Sequence, residues 1–126
     1  MEMKNIILVE DDPLLIDIYS TKLQQSGFFV RVVDRAEKAV ATIAEEKPDL
    51  VLLDIVLPHV DGWDILQQLQ ASEELKNIPV IILSNLGQKE EIEKGLNLGA
   101  LKYLIKAHYT PSEIVEEIKK LAQTTV

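Results

Sequence analysis

The sequence contains no cysteine, only two histidines and no apolar run longer than four residues. Without cysteine, disulfide frameworks, thiol catalysis and thiolate zinc sites are excluded. Two histidines are too few for a histidine-rich metal site. A membrane-spanning helix needs about 20 apolar residues and a signal peptide roughly 7–15. The sequence therefore predicts a soluble, cytoplasmic protein.

Basic residues are also scarce. Among 126 residues, 13 Lys and Arg stand against 21 Asp and Glu, which gives a net charge of −8. This excess of carboxylates argues against binding to nucleic acid or to an anionic membrane, because both need clustered basic side chains. The length suits one domain of about 100–150 residues, and 47% of the residues are apolar, enough to bury a core. We expect a single domain over residues 1–126.

Short apolar runs alternate with segments of helical period along the whole chain. Asp12-Pro13 predicts the start of the first helix, and capping boxes at 34–37 and 110–113 predict two more. Strict alternation of strands and helices is typical of a parallel sheet covered on both faces. Strands are predicted at residues 6–9, 30–33, 50–53, 80–83 and 103–105.

Polar interruptions rank the strands within this sheet. The first, third and fourth strands are wholly apolar and should be central, whereas Arg31 and Lys102 mark the second and fifth as edges. This ranking fits the strand order 2-1-3-4-5. The prediction is an α/β fold, a flavodoxin-like doubly wound (βα)5 domain with a five-stranded parallel sheet.

Charged and hydroxyl side chains follow four of the five strands. Because the carboxyl ends of parallel strands share one edge of the sheet, we expect these side chains to converge at the switch in strand order. Singly, each fits a helix cap or a solvated strand end, but Asp54 precedes an apolar segment with no helix to cap. The set comprises Glu10 and Asp11 after the first strand, Asp54 after the third, Ser84 after the fourth and Lys106 after the fifth.

Three crowded carboxylates would repel one another unless they were neutralised, and a hard divalent cation such as Mg²⁺ serves that purpose. A carboxylate beside Mg²⁺ can attack a phosphoryl group and form an acyl phosphate. A lysine in the same pocket would neutralise oxygens of the transferring group. The sequence therefore predicts a magnesium-assisted phosphoryl-transfer site.

The order and spacing of these residues resemble the receiver domains of the response-regulator family, of the chemotaxis type that stands alone. The resemblance covers essentially the whole chain, and four motifs in register make it specific. The matching stretches are Ile-Leu-Val-Glu-Asp-Asp at 7–12, Leu-Asp-Ile-Val-Leu-Pro at 53–58 with Asp-Gly at 61–62, Ile-Leu-Ser at 82–84 and Tyr-Leu-Ile-Lys at 103–106.

The resemblance implies a phosphoacceptor and a metal site. Asp54 would take a phosphoryl group from a phosphohistidine of a sensor histidine kinase or phosphotransfer protein. Asp11 would bind Mg²⁺ directly and Glu10 largely through water, while Asp54 and the backbone carbonyl of Val56 complete the set. Such a protein would catalyse only its own phosphorylation and dephosphorylation and would not be an enzyme acting on other substrates.

The resemblance also implies a switch. Lys106 would pair with the phosphoryl oxygens, Ser84 would move toward them, and Tyr103 would turn inward with Ser84. The surface of the fourth and fifth helices and the fifth strand would change, and a downstream protein would bind the changed surface. The sequence does not identify that protein. The receiver itself would be a monomer or a weak homodimer.

Several positions depart from the family pattern. Ala107 stands where proline follows the lysine, and a cis bond without proline costs about 3 kcal/mol, which favours a trans bond. Asn85 stands where the family prefers a small residue. Val56 and Leu86 flank the site without a polar atom to orient water, so we hypothesise slow hydrolysis of the phosphorylated form.

Other aromatic and histidine residues have weaker functional signals. Core packing and partner docking explain the patch of Tyr103, Ala107, His108 and Tyr109 equally well. Trp63 is expected to pack in the core, and His59 is expected to be solvated.

Three other functions compete with the phosphoacceptor. A degenerate receiver used only as a scaffold is opposed by the intact acidic, serine and lysine set. A phosphohydrolase of the aspartyl-phosphate kind needs an Asp-x-Asp motif after the first strand, and the nearest match is Glu10-x-Asp12. A flavin-binding module needs a phosphate cradle where this chain is acidic.

Overall fold

The computed structural model describes residues 5–124 and contains five strands and five helices in alternation. The strands pair in parallel in the order β2-β1-β3-β4-β5, which confirms the predicted fold class. Of the predicted 1–126 domain, residues 1–4 and 125–126 lie outside this description. The strands are β1 Asn5–Val9, β2 Phe29–Val33, β3 Leu50–Leu53, β4 Val80–Ser84 and β5 Lys102–Ile105; the helices are α1 Pro13–Gln25, α2 Ala39–Glu46, α3 Gly62–Ala71, α4 Lys89–Asn97 and α5 Pro111–Thr124.

The sheet separates two apolar layers. Alternate residues of each strand face opposite sides, so β1 sends Ile7 and Val9 to one layer and Ile6 and Leu8 to the other. Helices α2, α3 and α4 cover the first layer, and α1 and α5 cover the second. Strands β1, β3 and β4 are buried almost throughout, whereas β2 and β5 are partly exposed, as their polar interruptions predicted. Within the described range, no helix is long and apolar enough to cross a membrane.

Side-chain hydrogen bonds fix where four of the helices begin, as α1 and α5 illustrate. The Asp12 side chain accepts a hydrogen bond from the Leu14 backbone N–H at the start of α1 (2.9 Å). Thr110 and Glu113 exchange both hydrogen bonds of the predicted capping box at the start of α5. These local bonds satisfy backbone donors that have no partner inside the helix.

The predicted capping box at residues 34–37 is wrong. A 3₁₀ turn at Ala36–Lys38 precedes α2, and no side chain caps the turn or the helix. Ala36 and Ala39 are both buried in the apolar layer beside α2. We attribute the difference to this packing, which overrides the local capping preference.

Candidate functional site

Three acidic side chains meet at the carboxyl edge of the sheet, where β1 and β3 lie side by side. Glu10 and Asp54 are buried, with exposures of 1% and 6%, and Asp11 is exposed. One carboxylate oxygen from each of the three lies within 4.8 Å of the others. Convergence of residues 44 positions apart follows from the pairing of the two strands, as the strand order predicted.

Lys106 joins this acidic cluster from the end of β5. Its Nζ donates hydrogen bonds to Glu10 Oε1 (2.6 Å) and Asp54 Oδ2 (2.9 Å), and its side chain is 10% exposed. Burial acts to lower the pKa of Lys106, but the hydrogen bonds to both carboxylates outweigh burial and hold that pKa above its ordinary value. Burial raises the pKa of Glu10, although the hydrogen bond from Lys106 opposes that shift.

Backbone donors orient the second oxygen of each buried carboxylate. Glu10 Oε2 accepts from the backbone N–H groups of Asp11 (3.1 Å) and Asp12 (3.2 Å). Asp54 Oδ1 accepts from the backbone N–H of Val56 (3.1 Å). Each carboxylate is therefore held by the backbone on one oxygen and by Lys106 on the other, which restricts its rotation.

The loop after β3 is fixed by a close approach at Gly62. The Gly62 N–H donates to the Ile55 carbonyl (3.1 Å), and Val56 forms an isolated bridge with Asp61. A side chain at Gly62 would place its Cβ only 2.5 Å from Ile55 Cα and 2.9 Å from the Asp54 carbonyl oxygen. Glycine is therefore needed here for close backbone packing, and the Asp-Gly pair in the sequence was the signal for it.

Ser84 and Tyr103 hold the loop between β4 and α4 at the same residue. Ser84 Oγ accepts from the backbone N–H of Leu86 (3.2 Å), and the Tyr103 hydroxyl donates to the Leu86 carbonyl (2.5 Å). Ser84 is fully buried, and the ring of Tyr103 packs partly against the apolar layer beside α3. Burial raises the pKa of the Tyr103 hydroxyl, against a hydrogen bond with Ser84 that acts to lower it.

The acidic cluster has the chemistry of a divalent-cation site. Its donors are carboxylate oxygens, the ligands that Mg²⁺ prefers. Three carboxylates and one ammonium leave a local charge of −2, which one such ion offsets. The residues present therefore fit Mg²⁺.

The remaining candidates lie outside the cluster. Trp63 is 9% exposed in the apolar layer, with Lys94 Nζ 4.6 Å from its ring centroid, which confirms its packing role. His59 is exposed, with a positive φ of 67°. Ala107 and His108 are also exposed. Cis peptide bonds are absent from the described range, so Lys106 and Ala107 are joined by a trans bond.

Comparisons with known proteins agree with this geometry. A family model described as "Response regulator receiver domain" matches residues 6–119. The DNA-binding dual master transcriptional regulator RpaA of Synechocystis is 33% identical over 123 residues, which are 98% of this chain and 51% of that protein. This chain spans about half the length of the curated relatives it matches.

Solved structures share the fold over nearly the whole chain. The BeF3-activated N-terminal receiver domain of Klebsiella pneumoniae RstA is 32% identical, has a TM-score of 0.84, and covers 97% of this chain and 100% of its own. The Mn(2+)-bound form of response regulator Rcp1 is 26% identical, has a TM-score of 0.85, and covers 98% and 96%.

Proposed function

We propose that this chain, which belongs to the response regulator receiver family, transmits a signal by accepting a phosphoryl group on Asp54. The observation that carries the proposal is the setting of the Asp54 carboxylate. It is nearly buried, bonded to Lys106 and adjacent to Glu10 and Asp11. A carboxylate in such a site is a suitable nucleophile toward phosphorus.

The donor is a phosphohistidine of a sensor kinase or phosphotransfer protein. An oxygen of Asp54 attacks phosphorus, the phosphorus–nitrogen bond breaks, and its electron pair stays on the imidazole, which takes up a proton. Lys106 already donates to Asp54, so its ammonium is placed to stabilise negative charge on the transferring oxygens. The product is an acyl phosphate on Asp54.

Glu10 and Asp11, with Asp54 and the backbone carbonyl of Val56, are the groups that would hold Mg²⁺. When bound, the ion neutralises the cluster and the charge on phosphoryl oxygens. Support comes from the donor set itself and from Rcp1, which is described as Mn(2+)-bound. Support for acyl phosphate formation comes from the RstA receiver domain, which is described as BeF3-activated.

Phosphorylation is read out through Ser84 and Tyr103. In the unphosphorylated structure, Ser84 Oγ accepts a hydrogen bond from the Leu86 N–H. Ser84 gives up this bond when it turns to hydrogen-bond the new phosphoryl group. Tyr103, which donates to the Leu86 carbonyl, moves with this loop. The change alters the surface of α4, β5 and α5 and creates a binding site for a downstream protein. The domain acts in the cytoplasm as a monomer or weak dimer and does not itself contact nucleic acid.

Acetyl phosphate or phosphoramidate with Mg²⁺ tests this function directly. Intact-mass spectrometry should show one added phosphoryl group, which hydroxylamine removes and EDTA prevents. Asp54→Asn should abolish labelling, while Asp64→Asn, an exposed aspartate on α3, should leave it unchanged. If Asp54→Asn labels like the wild type, or neither phosphodonor nor a kinase labels the protein, the proposal is wrong. Continuous release of phosphate from small esters would instead indicate a phosphohydrolase.

A further inference from the structure

Gly95 is a buried glycine in the last turn of α4. Glycine is the least favourable residue in a helix interior after proline, because it loses the most backbone entropy on folding. Its φ is not in the left-handed region, since the described glycines with positive φ are Gly27 and Gly99. Backbone conformation therefore does not require glycine at position 95, and its neighbours must be considered instead.

A side chain at position 95 would overlap Ile82 and press tightly against the ring of Tyr103, both of which lie on the sheet. Its Cβ would lie 2.6 Å from Ile82 Cδ1 and 3.0 Å from Tyr103 Cδ2, with Tyr103 Cε2 at 3.4 Å. Ile82 is fully buried, so its side chain has little space to move. The Tyr103 ring is only partly buried and lies on an edge strand, so it can turn outward.

We propose that Gly95 is a positioning residue for Tyr103: its missing side chain leaves the space in which the inward ring packs. In its inward position, the Tyr103 ring places its hydroxyl against the Leu86 carbonyl. The N–H of the same residue, Leu86, donates to the Ser84 hydroxyl. The size of residue 95 therefore sets how readily the ring stays beside the Ser84 loop. The effect of residue 95 on signalling rests on the proposed function, whereas the packing of Tyr103 on Gly95 does not.

Fluorine NMR reports the position of the ring. The chain has three tyrosines, so 3-fluorotyrosine labelling gives three resonances, and Tyr103→Phe assigns one of them. In Gly95→Ala, the Tyr103 resonance should shift toward the position it has in urea-unfolded protein, because the added Cβ displaces the ring from its packed place. Asn97→Ala, an exposed position on the same helix, should leave it in place. An unchanged Tyr103 resonance in Gly95→Ala would overturn the inference.

A double-mutant cycle separates the ring from the helix. Gly95→Ala should lower the Tm in the wild type. With Tyr103→Ala already present, the contact with Ile82 Cδ1 remains, but Ile82 is the cross-strand partner of residue 103 and can move into the space that the ring leaves. The same change should therefore lower the Tm by less than it does in the wild type. An equal effect in both backgrounds would show that Tyr103 is not the reason for glycine.

Failure of a variant to fold is also informative. If Gly95→Ala is unfolded but the double variant folds, the ring is the obstacle and the inference stands. If both are unfolded, another contact requires the glycine and the inference is wrong. None of these measurements needs phosphorylation, so loss of labelling at Asp54 would overturn the proposed function without touching the coupling between Gly95 and Tyr103.

Discussion

Replacing Lys106 by methionine should destabilise the metal-free protein and make its stability more dependent on Mg²⁺. The Lys106 Nζ is the cation bonded to both buried carboxylates, Glu10 and Asp54. Methionine has a similar length and no charge, so the change removes both ion pairs while it keeps most of the packing. The buried carboxylates would then face each other with no opposite charge between them.

The expected loss follows from the burial of this group. Removing one partner of a buried ion pair costs about 3–5 kcal/mol, because the remaining charge is left uncompensated. Glu10 can bind a proton and relieve part of that cost, so we take the lower end, about 3 kcal/mol. For 126 residues and an unfolding entropy of about 2.1 cal/mol/K per residue, this loss lowers the Tm by roughly 11 °C.

Mg²⁺ should restore much of this loss. The cluster carries −2 with Lys106 and −3 without it, so the variant gains more from a divalent cation. Each tenfold gain in Mg²⁺ affinity returns about 1.4 kcal/mol at saturating ion. Stability should also recover as the pH falls, because the pKa of Glu10 is raised by burial and the folded state holds this proton more tightly. Without Lys106, which acts to lower that pKa, the recovery should begin at a higher pH.

Urea unfolding followed by the fluorescence of the single tryptophan measures each term. The titration is done at pH 7 in EDTA, at pH 7 in saturating Mg²⁺, and at a series of lower pH values. Lys120→Met is the matched control, since that lysine is 70% exposed and lies 3.7 Å from Glu117. It should change the free energy of unfolding by less than about 1 kcal/mol. A loss below 1 kcal/mol for Lys106→Met in EDTA, or an equal Mg²⁺ increment in variant and wild type, would refute the reasoning.

Three further predictions concern other parts of the domain. Gly62→Ala should cost about 1–3 kcal/mol in urea unfolding and slow phosphorylation, because its Cβ meets the Ile55 backbone; wild-type stability would contradict this. Val56→Asn, at a 58% exposed side chain beside Asp54, should speed loss of the acyl phosphate by placing an amide near attacking water; an unchanged lifetime counts against it. The hydrogen bond from Lys102 lowers the pKa of Glu117, so this pair stabilises the fold above about pH 4.5 and less as the pH falls through the lowered pKa. Glu117→Gln should thus cost about 0.2–1 kcal/mol at pH 7 and nothing in strong acid; a pH-independent difference would exclude the ion pair as its cause.

Strand order and the converging site were predictable because both depend on patterns of a few residues. Arg31 and Lys102 marked the edge strands, and the wholly apolar runs marked the central ones. Once the order is known, parallel pairing brings the strand ends together, which is why Glu10 and Asp54 could be placed side by side.

Contacts between side chains far apart in sequence could not be predicted in the same way. Lys106 and Glu10 are separated by 96 positions, and their 2.6 Å contact depends on the lengths and rotamers of both side chains. The capping box predicted at the start of α2 was wrong, because burial of Ala36 outweighed a local capping preference. The packing of Tyr103 on Gly95 had one sequence signal, a glycine inside a helix, but nothing in the sequence named the ring that fills the space.

Charge accounting at the cluster indicates what kind of switch the proposed function requires. The free cluster carries −2, and one bound Mg²⁺ brings it to zero. An acyl phosphate on Asp54 replaces one negative charge by about two, so the loaded and phosphorylated site carries about −1, within one charge of the free site. The total charge therefore changes little, and the signal must come from where the charge lies. In the proposed switch, Lys106 and Ser84 respond to the new position of the charge. When they turn to the phosphoryl oxygens, Lys106 gives up its hydrogen bond to Glu10, and Ser84 gives up the hydrogen bond that it accepts from Leu86.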